Sequence, residues 1–330
     1  MKNPQFFLVS GYGWSGSSAV VDLLKEYDCN IEPGIEFRLI KDPYGINDLH
    51  NSLIVKRDPL NYDIALKDFL WFIEMLNRKP SKFKFGLNYE TYFGNNFATL
   101  SEEFVSKLIN YKYESFWWMF DIKKHWADVL LEKLRRKFLK HKTQPTYMYF
   151  SNISDEKFCQ LANEYIEKLF ARHLNDKVSN IILDQAISIL NATNEMRFFK
   201  NRKLIIVDRD PRDIYTDLCL GGFLIGDELL QKRDARMYVD WHKAWRVNDV
   251  KLDNCSDILR LNFEDVILNY DETLEKIESF LGLESRHHIN SMKFLDINRS
   301  KNNIGIWKNF MNKEELSIFD KYLSMYYFVS

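Results

Sequence analysis

Between Phe6 and Leu24 the chain passes from an apolar run through three closely spaced glycines into a stretch with helical periodicity. Phe6 to Val9 reads as a buried strand, Gly11, Gly13 and Gly16 as a turn, and Ala19, Val20, Leu23 and Leu24 as one face of a helix. A strand, a glycine-rich turn and a helix start in that order aim backbone N–H groups and a helix dipole at one point. Such a point suits a phosphate or a sulfate. The spacing Gly11-x4-Gly16 fits a P-loop, yet Ser17 stands where the phosphate-reaching lysine would follow. That substitution argues against an ordinary ATP- or GTP-hydrolysing enzyme. A tight strand-to-helix turn without a ligand is the competing reading.

Further strands are expected over Asn180–Leu183, Lys203–Val207 and Asp257–Leu261, beside Gln5–Ser10, with helix-period segments between them. Alternation of that kind is the signature of a layered α/β fold around a parallel sheet. The reading is one domain over 1–330, with the sheet built from residues 1 to about 50 and about 178 to 330. A mainly helical insertion covers about 60–175 and offers a possible acceptor-binding region. It carries aromatic clusters, among them Phe69–Trp71–Phe72, Phe83–Phe85, Tyr89–Tyr92–Phe93 and Phe116–Trp117–Trp118–Phe120, followed by a charged helix through Glu132–Lys142. Most of these aromatics are expected to be core, with a minority lining a groove.

A formal net charge of −1 gives no wholesale basic surface for nucleic acid. The N-terminal apolar run is too short for a signal peptide, and no stretch approaches the ~20 apolar residues of a membrane span. Cys29, Cys159, Cys219 and Cys255 are far apart and form no metal-type pair. These features point to a cytoplasmic protein with reduced thiols.

A second strand-to-helix junction lies at residues 203–218, KLIIVDRDPRDIYTDL. Pro211 suits the first helical position and Asp210 the cap. Arg209 falls at the strand's carboxyl end, where ligands of open α/β sheets collect and where an arginine can grip a phosphate. This R-D-P-R-D segment, after the G-x-x-x-S-G-[ST]-[ST] loop, resembles the PAPS-dependent sulfotransferases, in particular bacterial, carbohydrate-type members. Ile182-Leu183-Asp184-Gln185 stands where many bacterial members have D-K-T-P. Leu261-Asn262-Phe263-Glu264-Asp265, with Thr273-Leu274 and Phe280-Leu281-Gly282-Leu283, resembles the family's "Y-E-D … F-L-G" segment. Ile304-Gly305-Ile306-Trp307-Lys308-Asn309-Phe310 is similar to its C-terminal loop.

The resemblance implies a P-loop-like three-layer fold and sulfuryl transfer from 3′-phosphoadenosine 5′-phosphosulfate (PAPS) to a carbohydrate hydroxyl, without a metal. It would place the donor's phosphosulfate on Gly13, Ser15, Gly16, Ser17 and Ser18, and its 3′-phosphate on Arg209 and on Arg299 or Lys301. Phe263 joins the donor-binding set, and Trp307 would pack the C-terminal loop. Two positions depart from the family. Trp14 replaces the usual loop lysine or arginine, and Asp217 replaces a serine that binds the 3′-phosphate. Another cation must then act at the reacting group, with Arg212, Lys41 or Arg38 as candidates and Arg212 placed among the catalytic residues. Glu36 stands at about the distance from the loop where heparan-type members keep a catalytic glutamate, and Glu32 is second. His242 is expected to be packed rather than catalytic. The alternatives are another 3′-phosphonucleotide donor, such as one carrying a phosphoramidate, a P-loop phosphotransferase, and a non-catalytic glycan-binding relative.

Overall fold

The computed structural model describes residues 4–115, 125–139, 146–221 and 233–329. Five parallel strands form the central sheet in the order β2-β5-β1-β6-β7. They are β1 (Gln5–Gly11), β2 (Asn30–Ile31), β5 (Asn180–Asp184), β6 (Arg202–Asp208) and β7 (Ile258–Asn262). Val9 pairs with Asp184 on one side and Ile205 on the other, and Asp208 pairs with Asn262. The carboxyl ends of β1, β5, β6 and β7 therefore share one edge of the sheet.

The central strands read as unbroken apolar runs because both faces are covered. Side chains alternate between the faces. Phe7, Val9, Ile182, Ile205 and Val207 pack against the helix Ser17–Leu24 and the helices Phe263–Leu268 and Tyr270–Leu281. Phe6, Leu8, Ile181, Leu183, Leu204 and Ile206 face the opposite layer, which the helical section supplies. A third cluster joins the helices Pro211–Gly221, Ala235–Ala244 and Lys313–Tyr322 through Ile214, Tyr215, Leu218, Tyr238 and Phe319. The layered α/β architecture and its four longer strands are those expected from the sequence.

Within 60–175, the helix Pro59–Asn77 starts with Pro59 behind an Asp58 cap that accepts from the Leu60 N–H. Helix Asp155–Phe170 is capped by Ser154. Phe69, Phe104, Phe158 and Tyr165 are buried, with Phe104 stacked on Tyr165 at 4.8 Å. Tyr89 and Phe93 join the same core, whereas Phe83 and Phe85 are exposed. The segment Phe116–Trp117–Trp118–Phe120 lies outside the described residues. One element of this section differs from expectation: β3 (Tyr111–Ser115) and β4 (Thr146–Phe150) form an antiparallel pair. Tyr111 and Tyr113 alternate with Lys112 and Glu114 in β3, a two-residue period too short to stand out among helices, and β4 is a short aromatic run, Tyr147-Met148-Tyr149-Phe150. Among the described residues no helix is long and apolar enough to cross a membrane.

Candidate active site

The glycine loop is held open by its own backbone. Gly13 and Gly16 have φ of 78° and 83°, and Trp14, at 51°, shares the left-handed region although it carries a side chain. Strain of that kind in a bulky residue is uncommon and concentrates at functional sites. Gly16 has a second constraint. A Cβ there would lie 2.3 Å from the Phe263 ring, so the loop and the start of helix Phe263–Leu268 touch because position 16 has no side chain. Helix Ser17–Leu24 begins directly after Gly16 with no side chain capping its first N–H groups. The Ala19 N–H turns back to the Gly16 carbonyl at 3.0 Å, which leaves the Ser17 and Ser18 N–H groups at the helix start to serve an anion. The Ser15 hydroxyl, in a residue only 2% exposed, has no hydrogen-bond partner among the described residues.

Beside the loop, β5 ends in Asp184 and Gln185. The Gln185 amide donates to the Ser17 Oγ at 3.0 Å, and that hydroxyl donates to Asp184 Oδ1 at 3.3 Å. Burial pushes the Asp184 carboxyl up to about 6. Opposite, the segment after β2 brings Glu36, Arg38, Lys41 and Asp42 together. Lys41 Nζ lies 3.6 Å from Glu36 Oε1, while Arg38 spans Glu36 at 3.1 Å and Asp42 at 2.6 Å. A cleft of about 740 Å³ opens between these walls. It is lined by the glycine loop and Ser17 and Ser18, by Glu36, Lys41 and Asp42, by Gln185 and Ile187 to Ile189, and by Trp241 and Trp245. The two tryptophans stand four residues apart along the chain and present neighbouring rings, 5.9 Å between centroids.

Arg209 is buried at the edge of this site and ties three segments together. It donates to the Trp14 carbonyl at 2.9 Å, to Asp217 Oδ2 at 2.5 Å and to the Asn303 carbonyl at 2.6 Å. Asp217 thus points inward and neutralises the arginine. The remaining Nε is buried without a partner among the described residues. Arg212 turns elsewhere: it grips Asp210 with two nitrogens and is sandwiched between the Trp307 and Tyr327 rings at 4.0 and 3.6 Å. Asp213 accepts from the Gly305 and Trp307 N–H groups and so fastens the C-terminal loop. Trp307 packs that loop, as expected. Arg299 and Lys301 are exposed on the short helix Ile297–Lys301 and do not line the cleft. Glu32 accepts from the Gly34 N–H within its own turn. Phe263 reaches the loop only as packing beneath Gly16, with the Arg209 guanidinium 5.4 Å from its ring centre.

Beneath the cleft lies a buried ionic network. Asp208 receives both Arg246 and Arg260, and Asp249 receives Arg246 at 3.1 Å and the Tyr12 hydroxyl at 2.5 Å. Burial alone would raise the Asp208 carboxyl, but the two guanidiniums outweigh it and hold it below the usual carboxylate range. His242 accepts from Arg246 Nε at 2.8 Å and is driven down to about 3 by burial, with the nearby guanidinium adding to it. It is a neutral packing residue. Away from the cleft, His50 bonds Asp155, which also holds Arg197, and His287 bonds Asp28 beside Cys29.

Lys41 was one of three candidate cations in the sequence and is the one the fold delivers to the cleft. Trp245 carried no signal at all, and Trp241 only its place in Asp240-Trp241-His242.

No protein-family model matches the sequence, and no curated protein matches it either. Solved structures that align with the chain include sulfotransferases and a retinol dehydratase. The sulfotransferase STF9 of Mycobacterium avium is 12% identical, aligning over 98% of this chain and 76% of its own, at a TM-score of 0.39. The sulfotransferase domain of the Synechococcus PCC 7002 olefin synthase is 13% identical over 100% of this chain and 98% of its own, at 0.40. Retinol dehydratase, solved with retinol and PAP, is 14% identical over 97% and 80%, at 0.37. Likeness at that level assigns no activity, which has to come from the residues of the cleft.

Proposed function

We propose that this chain transfers a sulfuryl group from PAPS to a hydroxyl of a carbohydrate acceptor, with Glu36 as general base and Lys41 as the balancing cation. The observation that carries this reading is the meeting of Glu36 and Lys41, 3.6 Å apart, in one cleft with a glycine loop and an uncapped helix start. The loop fits the anionic group of the donor: first-turn N–H groups have no side-chain cap, and the buried Ser15 hydroxyl has no partner among the described residues. In-line transfer forms the bond from the acceptor oxygen to sulfur as the bond from sulfur to the bridging phosphate oxygen breaks. Glu36 takes the acceptor's proton, and adenosine 3′,5′-bisphosphate leaves. Lys41 supplies the charge that the loop lacks at Trp14. Trp14, Trp241 and Trp245 offer flat faces on which a sugar ring can stack. Arg212, held by Asp210 and two rings, has no part in this scheme.

The test separates binding from turnover. Glu36→Gln keeps donor affinity within about twofold while turnover falls at least ~100-fold. Lys41→Ala lowers turnover by ~10²–10³. Loss of donor affinity in Glu36→Gln, with turnover per bound donor unchanged, contradicts the assignment of the base.

The Arg209–Asp217 pair favours a second reading. A carboxylate already occupies the arginine that a 3′-phosphate would use, which suits a different donor or a non-catalytic relative that binds a glycan through the tryptophans.

A further inference from the structure

Two clusters of metal-ligating side chains lie away from the cleft: Asp28, Cys29 and His287, and His50, Asp155 and Cys159. Their chemistry separates them. Asp155 is already held by the Arg197 guanidinium at 2.5 Å, so a cation there would have to displace an arginine. Asp28 has no lysine or arginine paired with it among the described residues, and its partner is His287 Nδ1 at 2.8 Å. The Asp28 oxygen, the Cys29 sulfur and the His287 nitrogen all lie within 4.8 Å of one another. Zinc holds oxygen and nitrogen at about 2.0–2.1 Å and sulfur at about 2.3 Å, which sets tetrahedral ligands about 3.3–3.6 Å apart. Opening the Asp28–His287 contact by about half an ångström admits the ion.

Each ligand sits on a fixed support. The Cys29 carbonyl accepts from the Ser179 and Asn180 N–H groups at 3.0 and 3.1 Å, and the Asp28 N–H donates to the His287 carbonyl at 3.0 Å. Beside them, Glu26 bonds His288 Nε2 at 2.8 Å and accepts from the Phe294 and Leu295 N–H groups at 3.1 Å. From outside the cluster, Asn180 Nδ2 donates to the Cys29 sulfur at 3.6 Å. A donor behind the sulfur is the kind of outer contact that orients a metal-bound thiolate. Cys29 forms the floor, while the Asp28 and His287 side chains, 34% and 36% exposed, form a rim through which an ion can enter.

We propose that Asp28, Cys29 and His287 bind a zinc-class divalent ion, with water in the fourth position, and so clamp the segment around His287 to the turn before β2. One sulfur, one imidazole and one carboxylate suit zinc, whereas magnesium and calcium take oxygen ligands. On binding, the thiol proton leaves to solvent and the imidazole keeps its proton on Nε2. The site is distinct from the cleft and stands independently of the proposed reaction.

Titration of the reduced, chelator-stripped full chain with Zn²⁺ and with Co²⁺ tests it. Zinc should bind one to one with a Kd of about 1 μM or tighter and raise the thermal midpoint. Cobalt should give a thiolate-to-metal charge-transfer band. Cys29→Ser should abolish that band. His287→Gln, at a partly exposed position that the fold tolerates, should weaken zinc at least ~10-fold. Cys159→Ser, in the other cluster, should change neither. The proposal is overturned if saturating cobalt gives no such band, if the band survives Cys29→Ser or disappears with Cys159→Ser, or if His287→Gln binds zinc like the parent.

Discussion

Asp217 decides how Arg209 can act. The arginine is almost wholly buried and its charge is already met by that carboxylate. Breaking such a pair leaves an uncompensated buried charge. Asp217→Ser should therefore lower the stability of the free protein by about 1–3 kcal/mol. The same change should tighten adenosine 3′,5′-bisphosphate at least tenfold, about 1.4 kcal/mol, because a phosphate replaces the missing anion. Thermal midpoints with and without the bisphosphate check both signs. A variant that loses stability and gains no affinity would show that Arg209 is a strut and nothing more.

Glu195 makes a second prediction at the same scale. It is buried, accepts from the Ser188 N–H at 2.6 Å and is pushed up to about 7 by burial. A carboxyl whose native value lies above its unfolded one binds protons more readily when folded. Its contribution is then favourable at low pH and is lost as pH rises from about 4.5 through 7. Glu195→Gln keeps an acceptor for Ser188 and removes the charge. Urea midpoints should show the variant more stable than the parent by about 1–3 kcal/mol at pH 8 and nearly equal at pH 5. A difference that grows towards pH 5 would contradict the burial argument.

Among the elements, the strand–loop–helix unit of residues 5–24 depends on contact with a helix that starts some 250 residues later. Gly16 meets the Phe263 ring, so a methyl at position 16 must displace that ring while holding a left-handed backbone. Gly16→Ala should cost about 1–3 kcal/mol in stability. Nucleotide binding should fall further than stability does, measurable as lost affinity in protein that is still folded. An alanine variant with parental affinity would mean that the loop's backbone does not hold the ligand.

What the sequence discloses at this scale follows from how each element is buried. Of the four longer strands, β1, β5 and β6 are legible because both of their faces are covered, which leaves continuous apolar runs such as Phe6–Val9 and Leu204–Val207, whereas the edge strand β7 is partly exposed and interrupted by Arg260. β2 is two residues long and has no period to detect. β3 is exposed and β4 is only partly buried, through Met148, Tyr149 and Phe150, so their tyrosines merge with the aromatic helices around them.

Over the whole molecule, topology assembles the site from distant parts. Loop residues 11–18 are legible because glycine spacing is a local signal. Lys41, Gln185, Trp241 and Trp245 reach the same cleft only through the strand order, which places β5 and β6 on either side of β1. Arg212 shows the converse. A motif arginine next to the site in sequence turns away because Asp210 and two aromatic rings hold it. Sequence proximity named the right neighbourhood there, and side-chain competition decided the occupant.

The measurement that tests the central claim most directly is calorimetric titration with adenosine 3′,5′-bisphosphate beside ADP and cytidine 3′,5′-bisphosphate, without added metal. Micromolar binding of the adenosine bisphosphate, at least tenfold tighter than the other two, is the predicted result. Preference for the cytidine compound would contradict PAPS as the donor while keeping the site. No binding of any of the three would contradict the nucleotide site itself and leave the aromatic cleft as a sugar-binding surface.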